Sequence, residues 1–242
     1  MKTGKQFVKD LEKEFNPIYK ITELIAHKFF NSNPSKEQLL EHFKRKMFNE
    51  RWNMIELAQK VSKLDLHTDT DMCVLLSKQV MDEAKHYKMV REVLDHINGG
   101  PIDLDDAHRT HGTKNPSQGA SLIDKYEAHG DEMTLALYQF LAEGRAAVSW
   151  QTMSEIVEDE FVASRYSKIA RDEKFHSNIG RMSLEKLCET PEMQEKCSKL
   201  AKEMYWDLYE ISCLSNTAPT QEMKDIMTTA YGQPTRELAV AI

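Results

Sequence analysis

The sequence reads DEAKH at residues 82–86 and DEKFH at residues 172–176, and these two stretches are its strongest indication of a fold. Each stretch places a glutamate three residues before a histidine, and the two stretches are 90 residues apart. Residues at positions i and i+3 share one face of an α-helix, so both side chains of each pair can reach one point. The repetition predicts two helices that direct matching polar groups to a common centre with approximate two-fold symmetry.

Apolar residues around both stretches recur at alternating spacings of three and four, which is typical of amphipathic helices. We predict long helices at about residues 35–63, 70–97, 131–155 and 161–187, with a turn at residues 65–70. The boundary between the last two is uncertain, because neither Gly nor Pro separates them. Each apolar stripe is interrupted near its middle by acidic or imidazole side chains, namely Glu50, Glu83 with His86, Glu143, and Glu173 with His176. Glu56, in contrast, falls on a more polar side of its helix.

Further helices are predicted on both sides of these four. An amphipathic segment covers about residues 3–30, and we expect Pro17 to break or bend it. Pro191 opens a fifth helix after the four, and a short sixth follows Pro219. A polar loop at residues 101–119 contains His108 and His111, and helical pattern resumes near Ser121. The expected fold is all-α, a helical bundle that forms a single domain over residues 1–242.

Electrostatics is the reason for grouping the six interrupting residues. An ionised carboxylate in a dry core costs several kcal/mol even after relaxation. Two divalent metal ions would supply four positive charges against four glutamates, and neutral imidazoles would add none. The alternative interpretation, a polar seam that only fixes helix register, would leave six buried polar groups without compensation.

The chain positions of the glutamates support the same grouping. In an antiparallel helical hairpin, residues equidistant from the turn lie at the same height. Glu50 and Glu83 flank the turn near residue 66 almost symmetrically, and Glu143 and Glu173 have their midpoint at residue 158. We therefore expect all four carboxylates at one level of the bundle.

Composition excludes several other classes of protein. The net charge of −7 gives no reason to expect nucleic acid or an anionic membrane surface as a partner. We expect no membrane span and no signal peptide, and hence a cytoplasmic protein. The four cysteines form no C-x-x-C pair, which disfavours a rubredoxin-type or zinc-ribbon site and is typical of reduced thiols.

Helices that contribute Glu, E-x-x-H, Glu and E-x-x-H resemble the ferritin-like di-iron carboxylate proteins, over about residues 36–187. The resemblance implies a four-helix bundle with additional terminal helices and six metal ligands, Glu50, Glu83, His86, Glu143, Glu173 and His176. It also implies that Asp82 and Asp172 accept hydrogen bonds from the ligand imidazoles. Residues 171–180 and 228–232 are similar to segments of the aldehyde-deformylating oxygenases. Di-iron hydroxylases and N-oxygenases are equally close, so no substrate is carried over.

The expected function is therefore an oxygenase that uses two iron ions and O2 to oxidise a small organic substrate. Manganese or a mixed Fe/Mn pair would suit the same ligands. An external electron donor, a ferredoxin or a flavin reductase, is implied, and a homodimer is a fair guess. The alternatives are a ferroxidase or iron-handling protein and a peroxide-reducing protein like rubrerythrin. Gly144, Ala146 and Ala147 beside Glu143 could leave room for a substrate, or could serve close helix packing.

Overall fold

The computed structural model describes residues 2–104, 122, 125–126, 132–216 and 218–236. All regular structure in these ranges is helical, which confirms the predicted all-α class. Most of the predicted loop, with His108 and His111, and the segment near Ser121 lie largely outside the described residues. The helices are α1 (Gly4–Asn31), α2 (Lys36–Val61), α3 (Thr70–Asn98), α4 (Glu132–Tyr138), a π-helical segment (Gln139–Glu143), α5 (Gly144–Ile156), α6 (Glu160–Leu187), α7 (Pro191–Asn216) and α8 (Gln221–Tyr231).

Local sequence signals explain where several helices begin and end. The Ser35 hydroxyl accepts a hydrogen bond from the Gln38 backbone N–H, and the Gln38 side chain reaches back to the Ser35 backbone, so the predicted capping box opens α2. Gly99 ends α3 in the left-handed conformation, with φ of 81°, which glycine adopts without steric cost. Asp159 opens α6 by accepting from the Val162 N–H. This cap fixes the boundary that the sequence left uncertain.

The structure corrects one expectation about helix continuity and refines another. The expected break at Pro17 is wrong, because the first helix runs unbroken through it. Loss of one backbone hydrogen bond at a proline costs about 3 kcal/mol. Buried Phe15 and Ile18 on either side each contribute roughly 1.5–3 kcal/mol, which is enough to keep the helix whole. The predicted helix at residues 131–155 is not uniform either, because a π-helical turn at Gln139–Glu143 divides it.

Two helical hairpins form the centre of the bundle. Helix α2 packs along α3, and α5 with the π-helical segment packs along α6. Contacts between α3 and α6 join the hairpins, so the helices that carry the two E-x-x-H motifs are neighbours. Helix α1 covers the second hairpin through α5 and α6 and also contacts α7 and α8. None of the helices in the described ranges combines the length and apolar character that a membrane span requires.

Two apolar clusters lie along these helices with a polar level between them. One cluster contains Phe43 and Met47 of α2, with Val90 of α3 and Ile169 of α6. The other contains Leu57, Leu76 and Ile179 of the same three helices. On each helix the candidate metal-binding residues fall between members of the two clusters. Hydrophobic packing on both sides therefore sets the height of α2, α3 and α6 relative to one another.

Gly180 allows α6 to approach the backbone of α4 and the π-helical segment closely. A Cβ at this position would lie 2.4 Å from the Ala136 carbonyl oxygen and 2.5 Å from the Phe140 backbone nitrogen. We expect Gly180→Ala to lower the free energy of unfolding by roughly 1–3 kcal/mol, because backbone must move to admit the methyl group. Urea unfolding followed by circular dichroism measures this change.

A matched control is Ser167→Ala, at an exposed position of the same helix. Alanine is the better helix former, so an unstrained substitution should be neutral or slightly stabilising. If Gly180→Ala is as stable as the control, α6 and the π-helical segment are not packed as closely as described.

Candidate metal centre

The four central helices bring all six predicted site residues together at the polar level. Helix α2 supplies one, α3 two, the last residue of the π-helical segment one, and α6 two. All six side chains are buried, with exposed fractions between 0% and 5%: Glu50, Glu83, His86, Glu143, Glu173 and His176. Glu56, which the sequence set aside, is only partly buried and is not among them.

The six residues form two overlapping groups of four. In the first, Glu50 and His86 join Glu83 and Glu173, and in the second, Glu143 and His176 join the same two glutamates. Within each group the potential ligand atoms lie within 4.8 Å of one another. Each group could hold one metal ion, and the two ions would share Glu83 and Glu173.

The shared glutamates divide their oxygens between the two imidazoles. Glu83 places Oε2 at 3.6 Å from His86 Nδ1 and Oε1 at 3.2 Å from His176 Nδ1. Glu173 places Oε1 at 3.5 Å from His86 Nδ1 and Oε2 at 3.1 Å from His176 Nδ1. One oxygen on each side is the arrangement that a bridging carboxylate needs. The central residues of the two E-x-x-H motifs are therefore related by an approximate two-fold axis.

The other imidazole nitrogens face the two aspartates that precede the glutamates. His86 Nε2 lies 3.5 Å from Asp172 Oδ2, and His176 Nε2 lies 3.6 Å from Asp82 Oδ2. Each aspartate therefore faces the histidine of the other motif. Nδ1 is left to face the centre in both rings. A carboxylate near Nε2 favours the tautomer with the proton there, and this leaves the Nδ1 lone pair available to a cation.

Sequence reasoning missed two glutamines that belong to the same centre. Gln79, fully buried one turn before Glu83, donates from Nε2 to Glu143 Oε1 over 3.1 Å. Gln139 in turn donates to Gln79 Oε1 over 2.8 Å. Gln79 lies within the predicted apolar stripe of α3. A polar amide at that position could have indicated a role at the centre. The π-helical turn had no such signal, although such turns are frequent at functional sites.

The small residues around Glu143 mainly serve close packing at Gly144. A Cβ on Gly144 would lie 2.2 Å from the Tyr19 hydroxyl oxygen and 3.1 Å from Ser177 Oγ. The space beside this glycine is therefore filled by α1 and α6. Of the two explanations offered by the sequence, helix packing is the one that applies at this position.

Burial and mutual repulsion govern the protonation of the carboxylates when no cation is bound. Burial raises the pKa of Glu50 to about 8. Burial, with the charges of Glu173 and Glu83, raises the pKa of Glu143 well above its ordinary value. At Glu83 burial also opposes ionisation, but His176 and His86 outweigh it and lower the pKa. Two glutamates thus retain protons that a cation would displace.

The imidazoles show the opposite balance. Burial lowers the pKa of His176, but Glu173 and Glu83 outweigh it and raise the value to about 11. The pKa of His86 is likewise raised well above its ordinary value by Asp172, Glu50 and Glu83, against the effect of burial. Both rings are therefore protonated at neutral pH when no cation is bound, and metal binding must release those protons.

The donor set fits divalent metal ions. Several of its buried atoms have no hydrogen-bond partner, namely Glu50 Oε2, both Glu83 oxygens, both His86 ring nitrogens and His176 Nε2. Buried polar atoms of native proteins are normally satisfied, so this concentration of unsatisfied atoms points to an absent ligand. Carboxylate oxygens with imidazole nitrogens suit iron and manganese, whereas structural zinc sites are usually tetrahedral and rich in cysteine.

Comparison with known proteins gave no match to a family model, to a curated protein or to a solved structure. The helical architecture and the buried carboxylate and imidazole cluster are compatible with a ferritin-like fold. The assignment of this cluster as a possible metal site depends only on the geometry of this chain.

The raised pKa values predict how stability without metal depends on pH. Glu50 makes its full contribution to the free energy of unfolding below its ordinary pKa of 4.5, and this contribution is lost as pH rises through its raised pKa of about 8. That of His176 is fully present below 6.5 and is lost as pH rises towards about 11. The lowered pKa of Glu83 adds no change in this range, because its contribution is lost only in acid. The chelated protein should therefore melt at a lower temperature at about pH 9 than at about pH 6.

Thermal melts in the presence and absence of a chelator measure this slope. The metal-loaded protein should melt higher at neutral pH and lack the same decline, because its carboxylates are neutralised by cations. A chelated protein that becomes more stable between these pH values would contradict the buried, proton-retaining carboxylates described here.

The aspartates predict a reciprocal effect on metal affinity. Asp172→Asn should weaken the ion held with His86, and Asp82→Asn the ion held with His176, by roughly 10–100-fold each. Competitive titration with a chromophoric chelator measures both affinities. Asp225→Asn, at an exposed position of α8, is the control and should bind metal as the unmodified chain does. Unchanged affinities in both variants would mean that neither aspartate orients an imidazole.

Proposed function

We propose that this chain is a di-iron oxygenase that activates O2 to oxidise a small organic substrate. The single observation that carries the proposal is the pair of ligand groups that share Glu83 and Glu173. Two iron ions held this closely would together supply two electrons to O2. Hydroxylation, N-oxygenation and oxidative C–C cleavage are the candidate outcomes, and a ferredoxin or flavin reductase is the proposed electron donor. A manganese or mixed Fe/Mn pair would use the same residues.

The residues around the centre have distinct tasks in this proposal. Glu83 and Glu173 would be shared by both ions, while Glu50 and Glu143 would each bind one ion. Glu143 accepts a hydrogen bond from Gln79, whereas Glu50 Oε2 has no hydrogen-bond partner among the described residues, so Glu50 would be the less constrained of the two ligands. The imidazoles add neutral nitrogen donors, oriented by the aspartates.

Burial favours catalysis over iron handling. A storage protein must pass its oxidised iron onward and take up more, whereas an oxygenase must retain its metal. The six residues are almost fully buried, and those on α2, α3 and α6 lie between two apolar clusters, which supports retention of the metal and exclusion of water from the centre. A ferroxidase and a peroxide-reducing protein remain the alternatives that the experiment distinguishes.

The test begins with anaerobic loading of ferrous iron, followed by exposure to O2, gel filtration and iron counting. We expect about two ferric ions to stay with each chain, O2 to be consumed once per pair, and excess ferrous iron to form no mineral. An organic substrate should become oxidised when an electron donor is supplied. Accumulation of many irons per chain would favour storage, and turnover of peroxide without oxidation of any organic compound would favour a peroxide-reducing protein.

Shared and unshared ligands should behave differently on substitution. Glu83→Ala or Glu173→Ala should abolish tight binding of both ions, because each carboxylate belongs to both groups. Glu50→Ala should mainly weaken one ion. Glu56→Ala, a change of the same type on the same helix but outside the groups, is the control and should retain both. Elemental analysis that finds a single zinc, unaffected by these changes, would contradict the assignment.

A further inference from the structure

A second polar feature lies beside the centre and has no role in holding metal. It is a cavity of about 50 Å³ between α1, α2, α5 and α7. Its walls combine the rings of Phe29 and His42, which stack with centroids 4.5 Å apart, with the hydroxyl groups of Ser149 and Ser212. Phe29 and Ser149 are only partly buried, so the cavity reaches towards the surface on one side.

Two cationic side chains also line this cavity. Lys46 lies on α2 one turn before Glu50, and Arg145 lies on α5 two residues after Glu143. The Lys46 ammonium lies 4.5 Å from the centre of the Trp150 ring. Arg145 donates from Nη1 to Ser212 Oγ over 3.0 Å, whereas its Nε is buried without a hydrogen-bond partner. Nothing in this cavity therefore saturates the hydrogen-bonding capacity of the guanidinium.

Among the residues that the structure describes, neither cation has a carboxylate partner at contact distance. The described residues include many ion pairs within 4.0 Å, but Lys46 and Arg145 take part in none of them. Burial is the largest influence on Lys46 and lowers its pKa to about 8, helped by the charge of Arg145 and opposed by Glu50 and Glu173. Burial also lowers the pKa of Arg145. The two like charges thus lie close together in a poorly solvated site.

The metal-loaded centre would not act as a counter-ion for these two cations. Two divalent ions would cancel the four glutamates, so no net negative charge would remain there to offset Lys46 and Arg145. Partly buried like charges without a counter-ion are unfavourable. A bound anion would remove this cost, and the planar guanidinium matches the geometry of a carboxylate through paired N–H donors.

We propose that this cavity binds the carboxylate of a small organic acid, with Lys46 and Arg145 as its anchors and the aromatic rings packing against its carbon chain. In so far as this acid is the substrate of the enzyme, the inference rests on the proposed function. A single buried water molecule requires roughly 10–15 Å³ of cavity volume. The cavity therefore admits a carboxylate and a short carbon stem, and a longer chain extends towards the partly exposed side.

Isothermal titration with butanoate tests the proposal on the full chain. We expect saturable binding to the metal-loaded protein, weaker by at least about tenfold in Lys46→Met and in Arg145→Met, because each loses one charged anchor. Methionine retains an unbranched apolar stem, although the contact between the Lys46 ammonium and the Trp150 ring is lost with the charge. The neutral isostere butanamide should not bind measurably. Lys44→Met and Arg171→Met remove charges of the same types outside the cavity and should bind butanoate normally.

Other outcomes are equally decisive. Equal butanoate affinity in the unmodified chain and both cavity variants would overturn the proposal, as would binding of inorganic phosphate in preference to butanoate. If a methionine variant does not fold, Lys46→Arg provides the alternative and should retain butanoate binding, since it keeps the charge.

Metal content is measured in the same samples. If the chain takes up no metal on loading but binds butanoate through Lys46, the proposed function alone is refuted. If the chain holds two metals but does not bind butanoate, the cavity proposal alone is refuted.

Discussion

Four carboxylates buried at one level of a helical bundle repel one another and lose their hydration, and the structure around them is arranged to offset this cost. The opposing charge comes first from two imidazoles, each facing both Glu83 and Glu173. Protonation of Glu50 and Glu143 removes further negative charge when no cation is bound. Two divalent ions would replace all of these protons. The centre therefore couples metal binding to proton release and to the stability of the bundle.

The rest of the fold holds this level in place. Apolar clusters at either side fix the heights of α2, α3 and α6, and Gly180 lets α6 approach the backbone that leads to Glu143. Glu143 is the last residue of the π-helical segment, which replaces regular α-helical hydrogen bonding between α4 and α5. Gln79 then secures the carboxylate from α3. Close packing at Gly180 and the hydrogen bond from Gln79 therefore both fix the position of Glu143.

Much of this arrangement could be predicted from the sequence, because it depends on helical periodicity. The spacing of apolar residues, the duplicated DExxH stretches and the hairpin symmetry of the glutamates were enough to select the six residues that the structure brings together. What could not be predicted depends on contacts between helices. Three features depend on how the helices are rotated relative to one another. Asp82 and Asp172 each face the histidine of the other motif, Gln79 donates to Glu143, and Lys46 and Arg145 line the same cavity. Pro17 was misjudged because local propensity was given more weight than the burial of its neighbours.

The polar level and the adjacent cavity share several elements. Lys46 and Glu50 are neighbours on α2, and Arg145 follows directly from the turn that carries Glu143. A ligand anchored by these cations would therefore lie close to Glu50 and Glu143, the two carboxylates that would each bind only one metal ion. This proximity gives the proposed oxygenase a means to hold an acid beside its metals.

We propose that two metal ions lie side by side and share Glu83 and Glu173. Anomalous diffraction at the iron edge, from crystals of the iron-loaded chain, would locate the ions. We expect two strong peaks per chain about 3.5–4 Å apart, both within bonding distance of the two shared carboxylates. A single peak, or metal bound away from these residues, would contradict it.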